Sequence, residues 1–294
     1  MMALERLHDL GYRELFGHDF ALINPVRVRE ERWQDLPVVP LRAPAFDAQP
    51  HLVPRLLPLA ALDDEQQVEL LERNDRQCVE TGQPMFCALL ASPAETRSLA
   101  VSLGSRMLLD APTGQTVWLR FHDPRVFSAL AWWLDPVQLR GLLGAVQGWT
   151  WFDPRGGRWA RIGRPEGEVF SGTRLRLKAE QWNRLERQPL VNRCLKTSAV
   201  DGSFPGQLRT SVERLDKYID EAVAAGLHDQ ADVCQYAMLT EKHGRGWTGH
   251  PGAVRALQVA RDGTQALAVG MKNLDEAELG QWMRASAGHM EEHA

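Results

Sequence analysis

Catalytic signatures are what this chain most plainly lacks. Its 294 residues contain no G-x-S-x-G elbow, no H-E-x-x-H pair, no phosphate loop ending in Lys-Ser or Lys-Thr, and no G-x-G-x-x-G after a strand. These absences lower the case for an enzyme without removing it, because triads assemble from residues far apart in sequence. Cysteine is scarce: Cys78, Cys87, Cys194 and Cys234 are widely spaced and form no C-x-x-C pair, so reduced thiols are expected. No stretch approaches the roughly 20 apolar residues of a membrane span. The opening, MMALERLHDLGYRELFGHDF, is charged throughout, unlike a signal peptide. A cytoplasmic protein without membrane insertion is the expectation. Positive charge is not in excess either: the net charge is −4, which argues against a chain drawn as a whole to nucleic acid.

What is present is unevenly spread. Residues 1–150 carry 14 basic and 19 acidic side chains, residues 151–215 carry 13 and 7, and residues 216–294 carry 7 and 12. A basic middle suits an acidic partner or the rest of the same chain, and without aromatic RNA-binding signatures protein contact is the better reading. Local text gives the fold class. FALINPV (20–26) and LPVVPL (36–41) read as short strands broken by proline, and AQPHLVPRLLPL (48–59) as an extended packed segment. DDEQQVELLERNDRQCVETG (63–82) reads as a helix with acids at its start, Gly82 as a stop, and an apolar stripe of Val68, Leu71 and Cys78. FCALLAS (86–92) is a buried strand, and MLLD (107–110) and TVWLRF (116–121) are further strands of the same layer. In between lies a helix over 92–105, with Ser92 and Glu95 as a capping box. WTWF and RWARI flank the turn text DPRGG as a hairpin.

From about residue 178 the pattern becomes helical. Val212, Leu215, Ile219, Ala222 and Val223 form one stripe ended by Gly226, Val233, Tyr236, Ala237 and Thr240 another ended near Gly244, and further helices start near Pro251, Thr264 and Asp275. The expectation is an α/β (α+β) N-terminal lobe over 1–165, with a mixed sheet flanked by helices, and an all-helical C-terminal lobe of short helices over 166–294, the boundary falling within 165–205.

The segment VWLRFHDPRVFSALAWWLD (117–135) changes register in mid-course. Val117, Leu119 and Phe121 alternate with Trp118, Arg120 and His122 as on a two-faced strand. Asp123 then stands at an N-cap position with Pro124 at the first helical position, and Asp135-Pro136 repeats the device. Capping is a fuller account of Asp123 than catalysis, and its removal should cost about 1 kcal/mol, or more if Arg120 or Arg125 pairs with it. His122 has no second histidine at ligand spacing, so solvent or a core hydrogen bond suits it better than metal. HGRGWTGHPG (243–252) crowds two histidines and four glycines near Cys234, yet the spacing fits no common metal site and His250-Pro251 reads as a helix entrance. Seven of ten tryptophans lie between Trp118 and Trp182. Trp132 and Trp133 are adjacent and cannot share one narrow helix face, so one is expected in the core with its neighbour exposed or between the lobes, the alternative being that all seven are core.

The order HLVPRLLPL, helix, FCALLAS with SPAET, VWLRFHDPRVFSAL and LDPVQLRGLLGAVQGW resembles the N-terminal domain of the type VI secretion effector adaptor, or chaperone, family. The likeness spans roughly 15–152, with a looser helical match through LHDQADVCQYAMLTEKHG and GHPGAVRAL. Its specific part is 117–149, carried by Arg120, Phe121, Asp123, Pro124, Arg125, Gly144 and Trp149. His122 departs from the pattern, where the family often has tyrosine. The resemblance implies a non-enzymatic cytoplasmic adaptor, without cofactor or metal, that binds an effector through its N-terminal or PAAR-linked region and helps load it onto the VgrG spike. It also points to Arg120, Phe121, Asp123, Arg125, Trp132, Trp133 and Trp149 as motif or partner-binding residues. Two other readings remain beside it: a hydrolase of unknown substrate using His122 or the His243/His250 region, and a nucleic-acid module resting on the basic middle alone.

Overall fold

The computed structural model describes residues 5–7, 11–42, 46, 48–153, 157–167, 175–200, 208–274 and 279–282. The chain forms two compact units, Met1–Trp182 and Asn183–Ala294. The first is α+β and the second helical. In chain order the first contains β1 (Glu5–Leu7), α1 (Tyr12–Phe16), β2 (Phe20–Ile23), β3 (Val39–Pro40), β4 (Arg55–Pro58), α2 (Asp64–Thr81), β5 (Phe86–Ala91), α3 (Thr96–Ser105), β6 (Leu108–Asp110), β7 (Thr116–Trp118), α4 (Pro124–Trp133), α5 (Pro136–Leu143), β8 (Gly148–Asp153) and β9 (Arg158–Gly163). Seven strands make one sheet in the order β1-β9-β8-β5-β2-β4-β3, and every described pairing in it is antiparallel.

Both faces of the sheet are covered, which explains the unbroken apolar text of its central strands. All four residues of β2 are buried, as are the first five of β5. One core cluster gathers Ala21 and Ile23 of β2, Leu57, Leu70 of α2, Phe86 and Leu89 of β5, and Trp159 of β9. Elsewhere Phe127 of α4 stacks on Trp149 with ring centres 4.5 Å apart and meets Trp151 edge-on at 5.0 Å. The Trp151 indole donates to Ser128 Oγ (2.8 Å), whose hydroxyl donates to the Pro124 carbonyl (2.8 Å), so a buried polar edge is satisfied within the same helix turn.

Local chemistry sets the helix ends. Asp63 and Gln66 form a reciprocal capping box at α2, and Gly82 closes it in the left-handed region at φ 69°. Asp135 and Gln138 repeat the box at α5. Three expectations are corrected by tertiary contacts. The start of α3 is capped by Glu95, which accepts from Ser98 N–H, and not by Ser92: the Ser92 amide donates to Asp19 and its hydroxyl to the Ala145 carbonyl. The buried side of α2 is Leu70, Asn74 and Gln77, whereas Val68 is exposed and Leu71 and Cys78 are half-buried. Asn74 earns its place by accepting from the Met85 amide (3.0 Å), and the Gln77 amide donates to Thr81 Oγ1 (3.2 Å). Finally, β6 and β7 form a separate two-stranded ribbon instead of joining the sheet.

Gly104 on the buried face of α3 lies against the chain at Arg42, whose amide donates to the Ala100 carbonyl. A methyl group there would stand 2.1 Å from the Arg42 carbonyl oxygen and 2.4 Å from its carbon. Backbone cannot swing aside as a side chain does, so Gly104→Ala is expected to cost about 2 kcal/mol despite its better helix propensity. Urea unfolding measures it, as a lower midpoint at unchanged slope. A midpoint equal to that of the parent would mean that α3 and the 41–42 segment separate freely.

In the second unit, α6 (Ala179–Val200), α7 (Leu208–Ala224), α8 (Gln230–His243), α9 (Pro251–Arg261) and α10 (Leu267–Gly270) follow one another, and the division between the units falls in the first turn of α6. At 22 residues α6 is longer than the short helices expected, and it carries Pro189 in its interior. Val212, Leu215, Ile219 and Ala222 of α7 are buried, and so are Val233, Tyr236, Ala237 and Thr240 of α8; Val223 is exposed. Arg187 bridges Asp216 and Asp220 and Arg214 pairs with Glu241, so part of the basic middle is neutralised inside this unit, where Arg245 also pairs with Glu221. The expected helix near Thr264 begins at Leu267, and the start near Asp275 lies outside the described residues, as does the centre of the DPRGG turn. Among the described residues no helix is long and apolar enough to cross a membrane.

Candidate functional site

The junction between β7 and α4 sets two arginines against one buried carboxylate. The strand ends at Trp118. Leu119 N–H still bonds to the Met107 carbonyl of the β6 side, and then the Asp123 amide closes a tight turn on the Arg120 carbonyl (2.8 Å). The turn breaks the two-faced alternation, burying Phe121, His122 and Asp123 in succession. Phe121 goes into the core against Trp149 (5.7 Å), and Trp149 is itself fully buried, so these two carry packing. Trp132 and Trp133 both lie half-buried at the far end of α4, about 10 Å along the helix from Arg125. There the Trp133 carbonyl accepts from Gln181, which exchanges hydrogen bonds with Gln138.

Asp123 caps α4 as expected, its Oδ1 accepting from the Arg125 amide (3.0 Å). It does more than cap. The Arg125 guanidinium reaches back as a fork, Nε to Oδ1 (3.0 Å) and Nη2 to Oδ2 (2.7 Å), and Arg120 Nη2 stands 3.8 Å from Oδ2. Burial by itself would raise the Asp123 pKa. The hydrogen bonds and charge of Arg125, with the charge of Arg27, outweigh it and hold the carboxyl down to about 2. The Arg120 guanidinium also lies over the Trp118 ring (5.6 Å), and that ring packs on Phe46 (4.6 Å) and on the His122 ring (5.9 Å).

His122 is sealed in. Its Nδ1 is buried without a hydrogen-bond partner, and burial, reinforced by the charge of Arg120, pushes its pKa down to about 3. The ring is therefore neutral at physiological pH. His250 accepts from the Gly252 amide (3.1 Å) as the cap of α9, and its ring meets Trp282 edge-on; His243 ends α8. Among the described residues no group of three or more His, Cys, Asp or Glu side chains could hold a metal.

Beside the junction a cleft of about 240 Å³ opens between the end of β2, the C-terminal end of α2, β5 and the start of α4. Asn24, Arg27, Gln83, Cys87, Pro124 and Phe152 are among its walls. Sequence reading missed Asn24 and Arg27. The Asn-Pro pair after β2 is a turn signal, borne by Asn24 Oδ1 accepting from Val26 N–H (3.1 Å) and its carbonyl from Arg27 and Val28 N–H. Nothing in the text, however, distinguishes Arg27 from the other cations among 34 Lys and Arg residues. Arg27 lies within electrostatic reach of Asp123, Arg125 and Arg120, and burial lowers its pKa. The site thus holds three guanidinium groups around one carboxylate, with Arg120 and Arg125 at the surface and Arg27 half-buried behind them. Such a cluster recognises anions and planar acceptors by hydrogen-bond geometry and needs no bond-making group.

Residues 31–141 match the model of a family described as a domain of unknown function, DUF4123. The match covers β3 through most of α5, with the whole β7–α4 junction inside it, while Asn24 and Arg27 precede it and Trp149 follows it. No curated protein matches the chain, and no solved structure does. The matched domain is one known in effector adaptor and chaperone proteins of type VI secretion.

Proposed function

We propose that this protein is a cytoplasmic, non-enzymatic adaptor that holds a type VI secretion effector by the effector's N-terminal or PAAR-linked region and assists its loading onto the VgrG spike. The domain match over residues 31–141 carries the reading, since it contains the junction on which the charged and aromatic side chains converge. The chemistry of that junction supports it. Surface arginines fixed on a buried carboxylate present their remaining N–H groups in a set orientation, which favours choice of partner and rate of encounter over raw affinity. Half-buried Trp132 and Trp133 add amphipathic surface of the kind that anchors protein contacts.

The test is co-expression of the chain with a type VI toxin and a spike protein from the same genome. A stable complex with the toxin, recovered by affinity purification and surviving size-exclusion chromatography, is the expected outcome. Recovery of neither toxin nor spike when all are soluble would overturn the reading. A turnover that vanishes with His122 or His250 replaced would replace it with a hydrolase.

A further inference from the structure

We propose that the cleft between β2, α2 and β5 is a receptor for a single carboxylate side chain presented by a protein partner, with Arg27 and Asn24 as its donors. The source of that carboxylate rests on the adaptor reading; the chemistry of the cleft does not.

Unused donors are the first observation. Arg27 Nη1 donates to the neutral Gln83 Oε1 (2.7 Å), and among the described residues no carboxylate lies within ion-pair distance of its guanidinium. Asn24 is 2% exposed and its Nδ2 has no acceptor. The orientation of that amide is fixed, because Oδ1 already accepts from Val26 N–H; turning it over would set two donors against each other. A buried amide donor is costly to leave without an acceptor and a half-buried guanidinium without a counter-charge, and Asn24 and Arg27 both line the cleft.

Charge is the second observation. Three arginines surround Asp123, and that carboxylate is already engaged by the Arg125 fork and by the backbone at the start of α4. A net positive site wants one more anion. The C-terminal end of α2, through Gln77 and Thr81, also lines the cleft, and the negative end of its dipole disfavours a doubly charged phosphate more than a carboxylate. Size agrees: about 240 Å³ falls below the roughly 300–1,000 Å³ of small-molecule sites and leaves room for a side chain.

The probes are blocked octapeptides that carry one central glutamate, glutamine or phosphoserine, titrated into the full chain while the Asn24 side-chain amide and Arg27 Nε–H resonances are followed. The glutamate peptide should shift both saturably, with the glutamine peptide about tenfold or more weaker. Asn24→Asp keeps the oxygen that holds the turn and replaces the donor with an acceptor, so it should abolish binding; Arg27→Gln should weaken it about tenfold or more, and Arg97→Gln, on the exposed side of α3, should leave it unchanged. Equal response to glutamate and glutamine, no saturation, a preference for phosphoserine, or unaltered binding by folded Asn24→Asp would each overturn the proposal. Toxin captured equally by the parent and both cleft variants would remove the cleft from the adaptor reading and leave that reading standing. Glutamate binding without any toxin or spike captured would do the reverse.

Discussion

Replacing His122 with phenylalanine is expected to make the protein about 2–3 kcal/mol more resistant to acid between pH 7.5 and 4.5 than the parent. The reason is the sealed ring. In the folded chain His122 stays neutral until about pH 3, because burial refuses it the proton, while in the unfolded chain it titrates near 6.5. A folded pKa below the unfolded one means that the parent's stability is intact above about 6.5. It falls as the pH drops towards 3, by about 1.4 kcal/mol per unit, since only the unfolded state accepts the proton. Phenylalanine has nothing to protonate and also removes the unpartnered Nδ1. At pH 7.5 the variant should therefore be at least as stable as the parent, packed as a third apolar ring beside Trp118 and Phe46. Urea midpoints of both proteins at the two pH values decide it, all other titrating groups being common to the pair. Parallel loss of stability in parent and variant would mean that His122 takes up its proton within the folded state.

Asp123→Ala should cost about 3 kcal/mol at neutral pH, well beyond the roughly 1 kcal/mol of an ordinary cap. The substitution removes the oxygen that caps α4, strips the fork from Arg125, and leaves Arg27 with only like charges around it. The full penalty of a broken buried pair, about 3–5 kcal/mol, is reduced because Arg125 and Arg120 reach solvent and can be rehydrated. Asp123→Asn separates the parts. It preserves an acceptor for the Arg125 amide and loses the charge, so its cost should be roughly half as large. The difference between parent and Asn variant should also depend on pH with the opposite origin to His122. The folded carboxyl sits at about 2 against 3.8 unfolded, so its contribution is present above about 3.8 and disappears as the pH falls to 2. Thermal melts from pH 7 to 2.5 test this. An Ala variant that melts with the parent would mean that the arginine fork carries no energetic weight.

These two neighbours also mark how far the text of the chain could be read. Asp123, Asp135 and Gly82 were legible because capping is settled within three or four residues. For His122 the text left solvent and a core hydrogen bond both open, since alternation along a strand places it opposite Phe121; the turn closed by Asp123 on Arg120 brings both inside, with Nδ1 unpartnered. Ser92 misled for a related reason: its groups are taken by Asp19 and Ala145, residues distant in sequence. The stripe of Val68, Leu71 and Cys78 misled because polar side chains such as Asn74 and Gln77 do not declare whether a hydrogen bond will carry them inward. Strand order was out of reach, since β1 pairs with β9 across about 150 residues of chain. Of the candidate site, the arginines flanking Asp123 stood out by their motif, whereas Arg27 becomes significant only once the end of β2 is laid beside α4.

The outermost strands of the sheet have a consequence for how anything could be held. One of them, β1, is three residues long; the other, β3, has two, and the second of these is Pro40, which has no amide hydrogen to offer. Along these described residues a visiting chain that tried to extend the ladder would find few rungs, and short edges of this kind disfavour side-by-side pairing of copies. Such edges favour grip by pockets and side-chain tips, by which a partner would be chosen residue by residue and not merely for its willingness to lie straight.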